Sequence, residues 1–362
     1  MFDVTSMDRG ASRWEEKLFA LSPWELLDGV WFKREDKFAP LGYGGINGSK
    51  LRQLIWIFNR NRDYHSRVVS GASVKSPQLS MTSAVAAHYG LPVELVVGAT
   101  KPTTAIKHLN VQIAARFGAK FNIIKVGYNP ALQRAVHDKV DMSTFPVEYG
   151  ISLVDPTPEE LLAFHSVGAA QVQNIPPQVE RLIIPAGSCN TLVSVLLGIV
   201  KYEIDLPFIF TVGIGPSKLK WVHKRLQVLE KVSGVRLCEH FYLVWPQYQE
   251  EAREINTQAH GPTLDRGDAR DRVPCMWEHF NIQTSGFSTY HQSMPERYGD
   301  IEMHPTYEGK IFRWFKNTEG GLQLESDDNS VGFWIVGSEP QMNVIDKFAP
   351  LPQQRTLPLV GE

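Results

Sequence analysis

A lysine that follows a glycine-rich loop is the residue of this sequence whose type and position most clearly suit it to chemistry. The loop 42–48 contains four glycines, and Lys50 stands just after it, where an apolar-periodic helix is predicted to begin. Glycine allows positive φ and lets a backbone approach a ligand closely. A lysine that has lost its solvent shell can act as an amine nucleophile and form a Schiff base. Taken alone, such a loop is more often an ordinary turn, and such a lysine a solvated surface charge.

The loop does not fit the common phosphate-binding motifs. A P-loop needs Gly-Lys followed by Ser or Thr, whereas residues 48–51 are Gly-Ser-Lys-Leu. The Gly-x-Gly-x-x-Gly pattern of dinucleotide-binding folds is absent as well. Neither class of nucleotide site is therefore predicted here.

Composition limits the classes of protein that the chain can belong to. Its 362 residues can bury a large core and suggest two domains, and its formal charge of −2 gives no overall electrostatic reason to bind nucleic acid. The overall charge does not exclude nucleic-acid binding through a local basic patch. The first residues lack the pattern of a signal peptide, and no apolar run approaches membrane-spanning length. The three cysteines are too widely spaced for a disulfide framework or a metal cluster, so we expect a cytoplasmic protein without a membrane anchor or bound metal.

Strand-like runs alternate with helical runs along most of the chain. The predicted strand–helix pairs are 68–70 with 81–89, 93–97 with 106–117, 121–126 with 131–140, 181–185 with 192–200, and 208–215 with 216–232. Further strands are predicted at 241–245 and 331–336, and a further helix after 307. Thr157 and Glu160 can form a capping box for a helix that runs to about Asn174. This alternation predicts an α/β fold with parallel sheets flanked by helices.

Four separated stretches resemble, in order, the pyridoxal-phosphate (PLP) enzymes of the tryptophan-synthase β-like fold, or fold type II. The similarity is greatest to the aminocyclopropane-carboxylate deaminase and D-cysteine desulfhydrase group. The stretches are Lys33-Arg34-Glu35-Asp36 with Gly48-Ser49-Lys50-Leu51-Arg52, then 71–87 with Ser76-Pro77-Gln78, Gly187-Ser188-Cys189-Asn190-Thr191, and His304 to Lys310. Together they span roughly residues 30–340, most of the chain.

The resemblance implies a two-domain organisation. Residues 1–50 and 166–349 would form a large cofactor-binding domain, and 51–165 a small domain. Residues 247–300 have no clear periodicity and are predicted to form an irregular excursion that covers the active site. Residues 350–362 are expected to be a loose tail. A homodimer is expected from the resemblance.

The resemblance also assigns residues to the cofactor. Lys50 would hold the PLP aldehyde as an imine, which needs a lysine that can lose its proton. Gly187, Ser188, Cys189, Asn190 and Thr191 would bind the phosphate with backbone N–H groups at a helix start. Glu308 would face the pyridine nitrogen and keep it protonated, which strengthens the ring as an electron sink. Gln78 would contribute its amide to the cofactor.

Three residues would face the substrate. Tyr307 would serve as an acid or assist a nucleophile, and Tyr298 resembles a second active-site tyrosine of the family, although it lies much closer to Tyr307 in sequence than the family's tyrosine does. Ser76 would contact the substrate carboxylate or move a proton. The family's Asn beside it is Pro77 here, which has neither an N–H nor a polar side chain.

Departures from the family pattern fall on ring- and substrate-facing positions, while the lysine is kept. The two consecutive glycines of the family's phosphate loop are Cys189 and Asn190 here. One alternative is therefore a loop that is wider than in the family or shifted. This distribution favours a changed reaction or substrate over a lost cofactor. Several side chains of the 247–300 stretch could shape a different pocket, although singly each is more typical of packing or surface: His260, Trp277, His279, Phe280, Phe287, Tyr290 and His291.

Three functional hypotheses follow from these observations. The first is a PLP enzyme acting at Cα of an amino acid or amino-acid-like small molecule, with deaminase or lyase chemistry as the family default. The second is a PLP enzyme acting on an amino acid attached to a larger carrier, such as a nucleotide or a modified DNA base, for example by decarboxylation. The third is a non-catalytic scaffold that keeps the fold without the chemistry.

Overall fold

The computed structural model of the protein describes residues 16–42, 46–99, 101–125, 129–244, 254–255, 275–317 and 329–339. The chain divides into two compact units. Unit 1 draws on residues 1–20, 36–156 and 337–362, and unit 2 on residues 21–35 and 157–336. Within the described ranges, no helix is both long enough and apolar enough to cross a membrane.

Strands and helices alternate along the chain. The strands are β1 (Trp24–Leu27), β2 (Val30–Arg34), β3 (Arg67–Ser73), β4 (Val93–Gly98), β5 (Lys120–Ile124), β6 (Thr144–Val147), β7 (Arg181–Ala186), β8 (Phe208–Gly213), β9 (Phe241–Val244), β10 (Cys275–Asn281), β11 (Glu296–Tyr298), β12 (Ile301–Met303) and β13 (Val331–Ile335). The α-helices include Ser49–Asn61, Gln78–His88, Pro102–Ala105, Leu109–Arg116, Asn129–His137, Pro158–Ala169, Asn190–Lys201, Leu219–Ser233, Leu237–His240 and Glu308–Lys316.

Unit 1 is built on a four-stranded parallel sheet in the order β5-β4-β3-β6. The middle strands β3 and β4 are buried along most of their length, as expected for a sheet covered on both faces. Helix Ser49–Asn61 directs an apolar face inward, with Leu51, Leu54 and Phe58 fully buried.

Unit 2 is built on a seven-stranded sheet in the order β1-β2-β13-β7-β8-β10-β9. Every pairing in it is parallel except that of β1 with β2. A separate antiparallel pair, β11 and β12, contributes Ile301 and Met303 to the apolar core. The α/β class with parallel sheets flanked by helices, predicted from the sequence, is confirmed.

Two glycines let helix Pro158–Ala169 lie directly against helix Asn190–Lys201. A Cβ added at Gly198 would lie 2.3 Å from the carbonyl oxygen of Ala169, and one added at Gly168 would lie 2.7 Å from Ser194 Cβ. Real Cβ atoms do not approach backbone oxygens this closely, so the distance between the helices depends on these two positions. Helix Asn190–Lys201 follows the turn after β7. The close packing that the two glycines allow therefore fixes the position at which this helix starts.

The predicted capping box is confirmed, because Thr157 Oγ1 accepts from Glu160 N–H while the Glu160 carboxylate accepts from Thr157 N–H. The helix ends at Ala169 and continues as a 3-10 turn to Val172, slightly short of the predicted Asn174. The helix predicted over 106–117 is Leu109–Arg116, which starts after His108 because the backbone of that residue is extended, and a separate short helix, Pro102–Ala105, precedes it.

The irregular conformation predicted for 247–300 is wrong for 275–281, which form β10 between β8 and β9. Polar residues conceal this strand in the sequence. His279 of this strand is buried, and its Nδ1 lies at hydrogen-bond distance, 2.7 Å, from Thr211 Oγ1. The same hydroxyl also accepts from Trp277 Nε1 at 3.0 Å. One threonine thus provides a hydrogen-bond partner for two polar side chains of a core strand. His260 and the tail 350–362 lie outside the described residues.

The predicted domains, 1–50 with 166–349 and 51–165, stay a prediction. Residues 36–42 and 46–50 belong to unit 1, whereas the predicted boundary falls after residue 50. Gly48 N–H donates to Phe38 O at 3.0 Å, and the Arg52 guanidinium lies 3.6 Å from the centre of the Phe38 ring. These contacts hold the segment before the first long helix against that helix.

Gly198→Ala should destabilise the protein by about 1–3 kcal/mol, the usual cost of overpacking, although alanine is the better helix former by up to ~1 kcal/mol. The added methyl group would lie against the Ala169 carbonyl and push the two helices apart. Urea unfolding measures the change, with Lys201→Ala at the exposed end of the same helix as a near-neutral control. An unchanged or raised midpoint for Gly198→Ala would contradict the close approach of the helices.

Candidate active site

The turn after β7 has the backbone geometry of an anion site. The chain passes from Ala186 through Gly187 and Ser188 to Cys189, which is left-handed at φ 67°, ψ 2° and caps helix Asn190–Lys201. The Cys189 side chain makes no capping hydrogen bond to the helix, and its Sγ lies 3.8 Å from Gly187 O. First-turn N–H groups and the helix dipole favour an anion at such a position. Cys189 therefore has the left-handed backbone that a glycine adopts readily, and the phosphate role of residues 187–191 stays a prediction.

Tyr307 lies against this turn, and Glu308 follows it into the protein interior. A Cβ added at Gly187 would lie 3.6 Å from Tyr307 Cε1. Glu308 is fully buried at the start of helix Glu308–Lys316, and its Oε1 accepts from Val336 N–H at 3.1 Å. A buried carboxylate oriented by a backbone N–H is suited to a cationic ring nitrogen.

Tyr290 contacts Tyr307, although the sequence assigned it no catalytic role. Its hydroxyl lies 3.3 Å from that of Tyr307, so one of the two donates to the other. The segment that carries Tyr290 is held by the buried Lys310, whose Nζ donates to Thr289 O at 2.7 Å and Tyr290 O at 3.2 Å. Only the absence of a side chain at Gly309 lets Met294 O approach the helix, since an added Cβ would lie 2.2 Å from that oxygen.

Tyr298 has different surroundings from those expected of an active-site tyrosine. Its ring packs 5.4 Å from Phe32 and 5.0 Å from Phe312, centre to centre. Burial, with a hydrogen bond to Asp28, raises the pKa of Tyr298. The site role of Tyr298 stays a prediction, and the tyrosine that contacts Tyr307 is Tyr290. The sequence pointed to Tyr298 because Arg297-Tyr298-Gly299 resembles the stretch around the family's second active-site tyrosine.

Lys50 lies in unit 1, in the first turn of helix Ser49–Asn61, and its side chain is half-buried. Gly48 before it has φ 97°, which requires glycine. The buried Arg52 donates to Leu18 O at 2.8 Å while it stacks on Phe38, so the helix start is fixed from both sides. The Lys50 amine therefore projects from a rigid position.

The Ser76-Pro77-Gln78 turn follows β3 in unit 1. Gln78 Nε2 donates to Ser70 Oγ at 3.0 Å and to Glu148 O at 2.9 Å, and its Oε1 accepts from Gly150 N–H at 2.8 Å. The amide thus ties the turn after β6 to β3. One acceptor lone pair is left for any cofactor contact, so the cofactor role of Gln78 stays a prediction. Ser76 is buried, and its Oγ accepts from Gln78 N–H at 3.3 Å.

Lys33 and Arg34, from the stretch Lys33-Arg34-Glu35-Asp36, have structural roles in unit 2. Lys33 is fully buried, and its Nζ donates to Ser22 O at 2.8 Å and to Asn174 Oδ1 at 2.6 Å. Arg34 forms ion pairs with Glu25 and Asp300. The motif that helped to identify the family therefore anchors β2 to its surroundings.

A small pocket adjoins the phosphate turn at the carboxyl ends of β7, β8 and β10. Its lining is Ala186, Gly187, Cys189, Leu192, Gly213, Pro216, Ser217, Lys218, Leu219, His279 and Asn281. Burial lowers the pKa of His279 to about 4, so its ring is neutral at pH 7. Burial also lowers the pKa of Lys218, against an opposing influence of the nearby Cys189. No three His, Cys, Asp or Glu side chains of the described residues are grouped as metal ligands.

The residues present fit PLP group by group. Unit 2 brings together a helix N-terminus suited to a phosphate, the tyrosines beside it and the buried carboxylate of Glu308. Unit 1 supplies Lys50 on a fixed helix start and Ser76 at the carboxyl end of β3. That the two sets act on one bound cofactor stays a prediction.

No family model matches the chain. The chain is 34% identical to the O-seryl-dTMP PLP-dependent decarboxylase of Salmonella phage ViI, over 98% of this chain and 91% of the phage protein. A crystal structure of an ACC deaminase homologue has a TM-score of 0.62 at 16% identity, covering 88% of this chain and 89% of its own. Escherichia coli diaminopropionate ammonia lyase has a TM-score of 0.50 at 10% identity, covering 92% of this chain and 88% of its own.

The two solved structures share the fold, and the phage relative carries the family assignment because its similarity extends over nearly the whole chain. The predicted cofactor and the enzymatic nature of the chain are confirmed with it, against the hypothesis of a non-catalytic scaffold. The chain belongs to the PLP-dependent enzymes of the tryptophan-synthase β-like fold, in one family with the phage decarboxylase.

Proposed function

We propose that the protein decarboxylates a serine joined through its hydroxyl oxygen to a thymidine nucleotide. The observation that carries this proposal is the 34% identity, over 98% of the chain, to a protein named for that substrate and reaction. The α-carboxylate leaves as CO₂, and a proton takes its place on the same carbon. The product is the nucleotide bearing an aminoethyl ether, with the amino group retained. This is the second of the hypotheses drawn from the sequence.

Each part of the cofactor has a proposed partner in this chain. Bound PLP supplies a ring that accepts the electron pair left at Cα when CO₂ departs. Lys50 binds the aldehyde carbon, and the N–H groups of residues 187–191 bind the phosphate. Glu308 holds the proton on the ring nitrogen, and the N–H of Val336 keeps the carboxylate in place for it.

The tyrosine pair is proposed to deliver the proton that replaces the carboxylate. The Tyr307 ring packs against Gly187, and its Oη lies 3.3 Å from Tyr290 Oη. A hydroxyl that is hydrogen-bonded to a second one can donate its proton and be resupplied through it. Lys310 keeps Tyr290 at this distance through the two backbone carbonyls that it binds. Ser76 is proposed to contact the substrate.

Three finer features stay predictions: a cytoplasmic location, a homodimer, and the form of the carrier. The relative's name specifies dTMP. A modified base within DNA is the alternative carrier, and comparing O-seryl-dTMP with a seryl-modified oligonucleotide as substrates would decide between them.

Purified protein with PLP should convert O-seryl-dTMP into CO₂ and the aminoethyl ether, measured by CO₂ release and mass spectrometry. Lys50→Ala should lose turnover and also the borohydride-fixed chromophore that the parent chain carries on Lys50. The same substrate separates the competing chemistry, because β-elimination would expel the nucleotide and yield pyruvate and ammonia. Those products without CO₂ would refute decarboxylation in favour of the lyase chemistry.

Tyr290→Phe should lower kcat by on the order of 10²-fold, the usual contribution of a positioned acid–base group, and leave the PLP absorbance unchanged. Tyr298→Phe is the matched control, since that ring packs between Phe32 and Phe312. Steady-state kinetics of both variants measure the difference. A larger loss for Tyr298→Phe than for Tyr290→Phe would restore the assignment made from the sequence.

Glu308→Gln should lower kcat by on the order of 10-fold or more with little change in KM, because a neutral amide no longer holds the ring nitrogen protonated. The amide can still accept the Val336 N–H, so the local fold should persist. Kinetics and the absorption spectrum of the bound cofactor measure the effect. A change in KM alone would show that the carboxylate serves binding only.

A further inference from the structure

The pocket beside the phosphate turn is built from three neighbouring strands of the unit 2 sheet. Ala186, Gly213 and Asn281 are the last residues of β7, β8 and β10, and all three line it. In parallel sheets, ligands bind outside the carboxyl ends of the strands. Gly187 and Cys189 form one part of the pocket wall, and the turn after β8 forms another part, through Pro216, Ser217 and Lys218. Asn281 holds this wall, because its Nδ2 donates to Gly215 O at 2.6 Å.

The lining of this pocket carries one positive charge and no negative one. Lys218 is the single lysine or arginine among the described lining residues, and none of those residues is Asp or Glu. His279, with its lowered pKa, adds no charge at pH 7. A half-buried ammonium group in such a pocket has lost part of its hydration and gains more from an anion than a surface lysine would.

We propose that Lys218 binds the phosphate of PLP, opposite the backbone N–H groups of the turn at residues 187–191. The inference rests on the phosphate position proposed above. Two groups of different chemistry then share one dianion: the helix N-terminus through N–H hydrogen bonds and the lysine as a point charge. The lysine comes from the turn after the neighbouring strand β8, so the motif at 187–191 alone does not describe the phosphate site.

The role suits the two departures in the phosphate turn. Cys189 and Asn190 stand where the family pattern has glycines, and each adds a side chain to a loop that must approach the phosphate. Cys189 keeps the left-handed backbone, but its side chain is buried beside the turn. A cation on the opposite wall adds attraction that does not depend on how closely the loop can approach.

The test compares PLP with pyridoxal, which lacks the phosphate, in titrations followed by cofactor absorbance. Lys218→Met should weaken PLP binding by about 10- to 100-fold, the loss expected for one charge-assisted hydrogen bond, and leave pyridoxal affinity within about 2-fold. Unchanged pyridoxal binding also shows that the variant is folded. Lys218→Arg should recover most of the PLP affinity. Lys220→Met is the matched control, because Lys220 lies two residues further on and pairs with Glu254 at 3.0 Å.

Each of the following results would contradict one specific assignment. If the parent chain binds PLP more tightly than pyridoxal and Lys218→Met retains that preference, the inference is wrong and the phosphate turn stands. If the parent chain shows no preference for PLP, the phosphate position itself is wrong. If Lys218→Met leaves PLP affinity unchanged but raises KM for O-seryl-dTMP, the lysine binds the nucleotide phosphate, and the assignment to the cofactor is refuted.

Discussion

The site in unit 2 depends on one residue of left-handed backbone. Cys189 turns the chain from the end of β7 into helix Asn190–Lys201, at a conformation that costs a side-chain-bearing residue about 1–2 kcal/mol. The cost is offset where the side chain is buried in the apolar cluster that also contains Leu192 and Leu196. Because the turn is tight, the first N–H groups of the helix lie at the sheet edge where Tyr307 packs on Gly187. Strain at this point is therefore linked to the predicted phosphate site.

The helix behind the turn is held from its other side by a neutral histidine. His165 Nδ1 lies 2.9 Å from Ser194 Oγ, and full burial lowers the pKa of His165 to about 3. An imidazole that stays neutral can be buried between two helices without a counter-charge, whereas a protonated one could not. The close contacts at Gly168 and Gly198 flank this pair. The position of the N–H groups at the turn thus follows from helix packing and not from the turn sequence alone.

The sequence predicts what depends on local pattern. Apolar periodicity located most strands and helices, and the Thr157 capping box marked a helix start, because these signals need only neighbouring residues. The sequence indicated Tyr290 only as one of several possible pocket residues and did not single out Lys218, because the role proposed for each depends on long-range contacts. Tyr290 is placed by Lys310 twenty residues away, and Lys218 by the adjacency of β7, β8 and β10. The strand β10 was missed because its polar Trp277 and His279 find a hydrogen-bond partner in Thr211, which is distant in sequence.

The substitutions in the Ser76–Gln78 turn bear on the kind of substrate. Pro77 stands at the helix N-terminus with φ −64°, where an N–H has no partner within the helix, so the fold loses nothing there. Gln78 uses its amide to fix the turn containing Gly150, which leaves Ser76 as the polar group of this turn that is best placed for a substrate. A free amino acid has only a few polar atoms through which a protein can recognise it. A turn whose side-chain amide is already used in hydrogen bonds within the protein therefore suits a free amino acid poorly. When the amino acid is attached to a nucleotide, the protein can recognise the nucleotide as well. The turn then needs only to enclose the reacting end of the substrate.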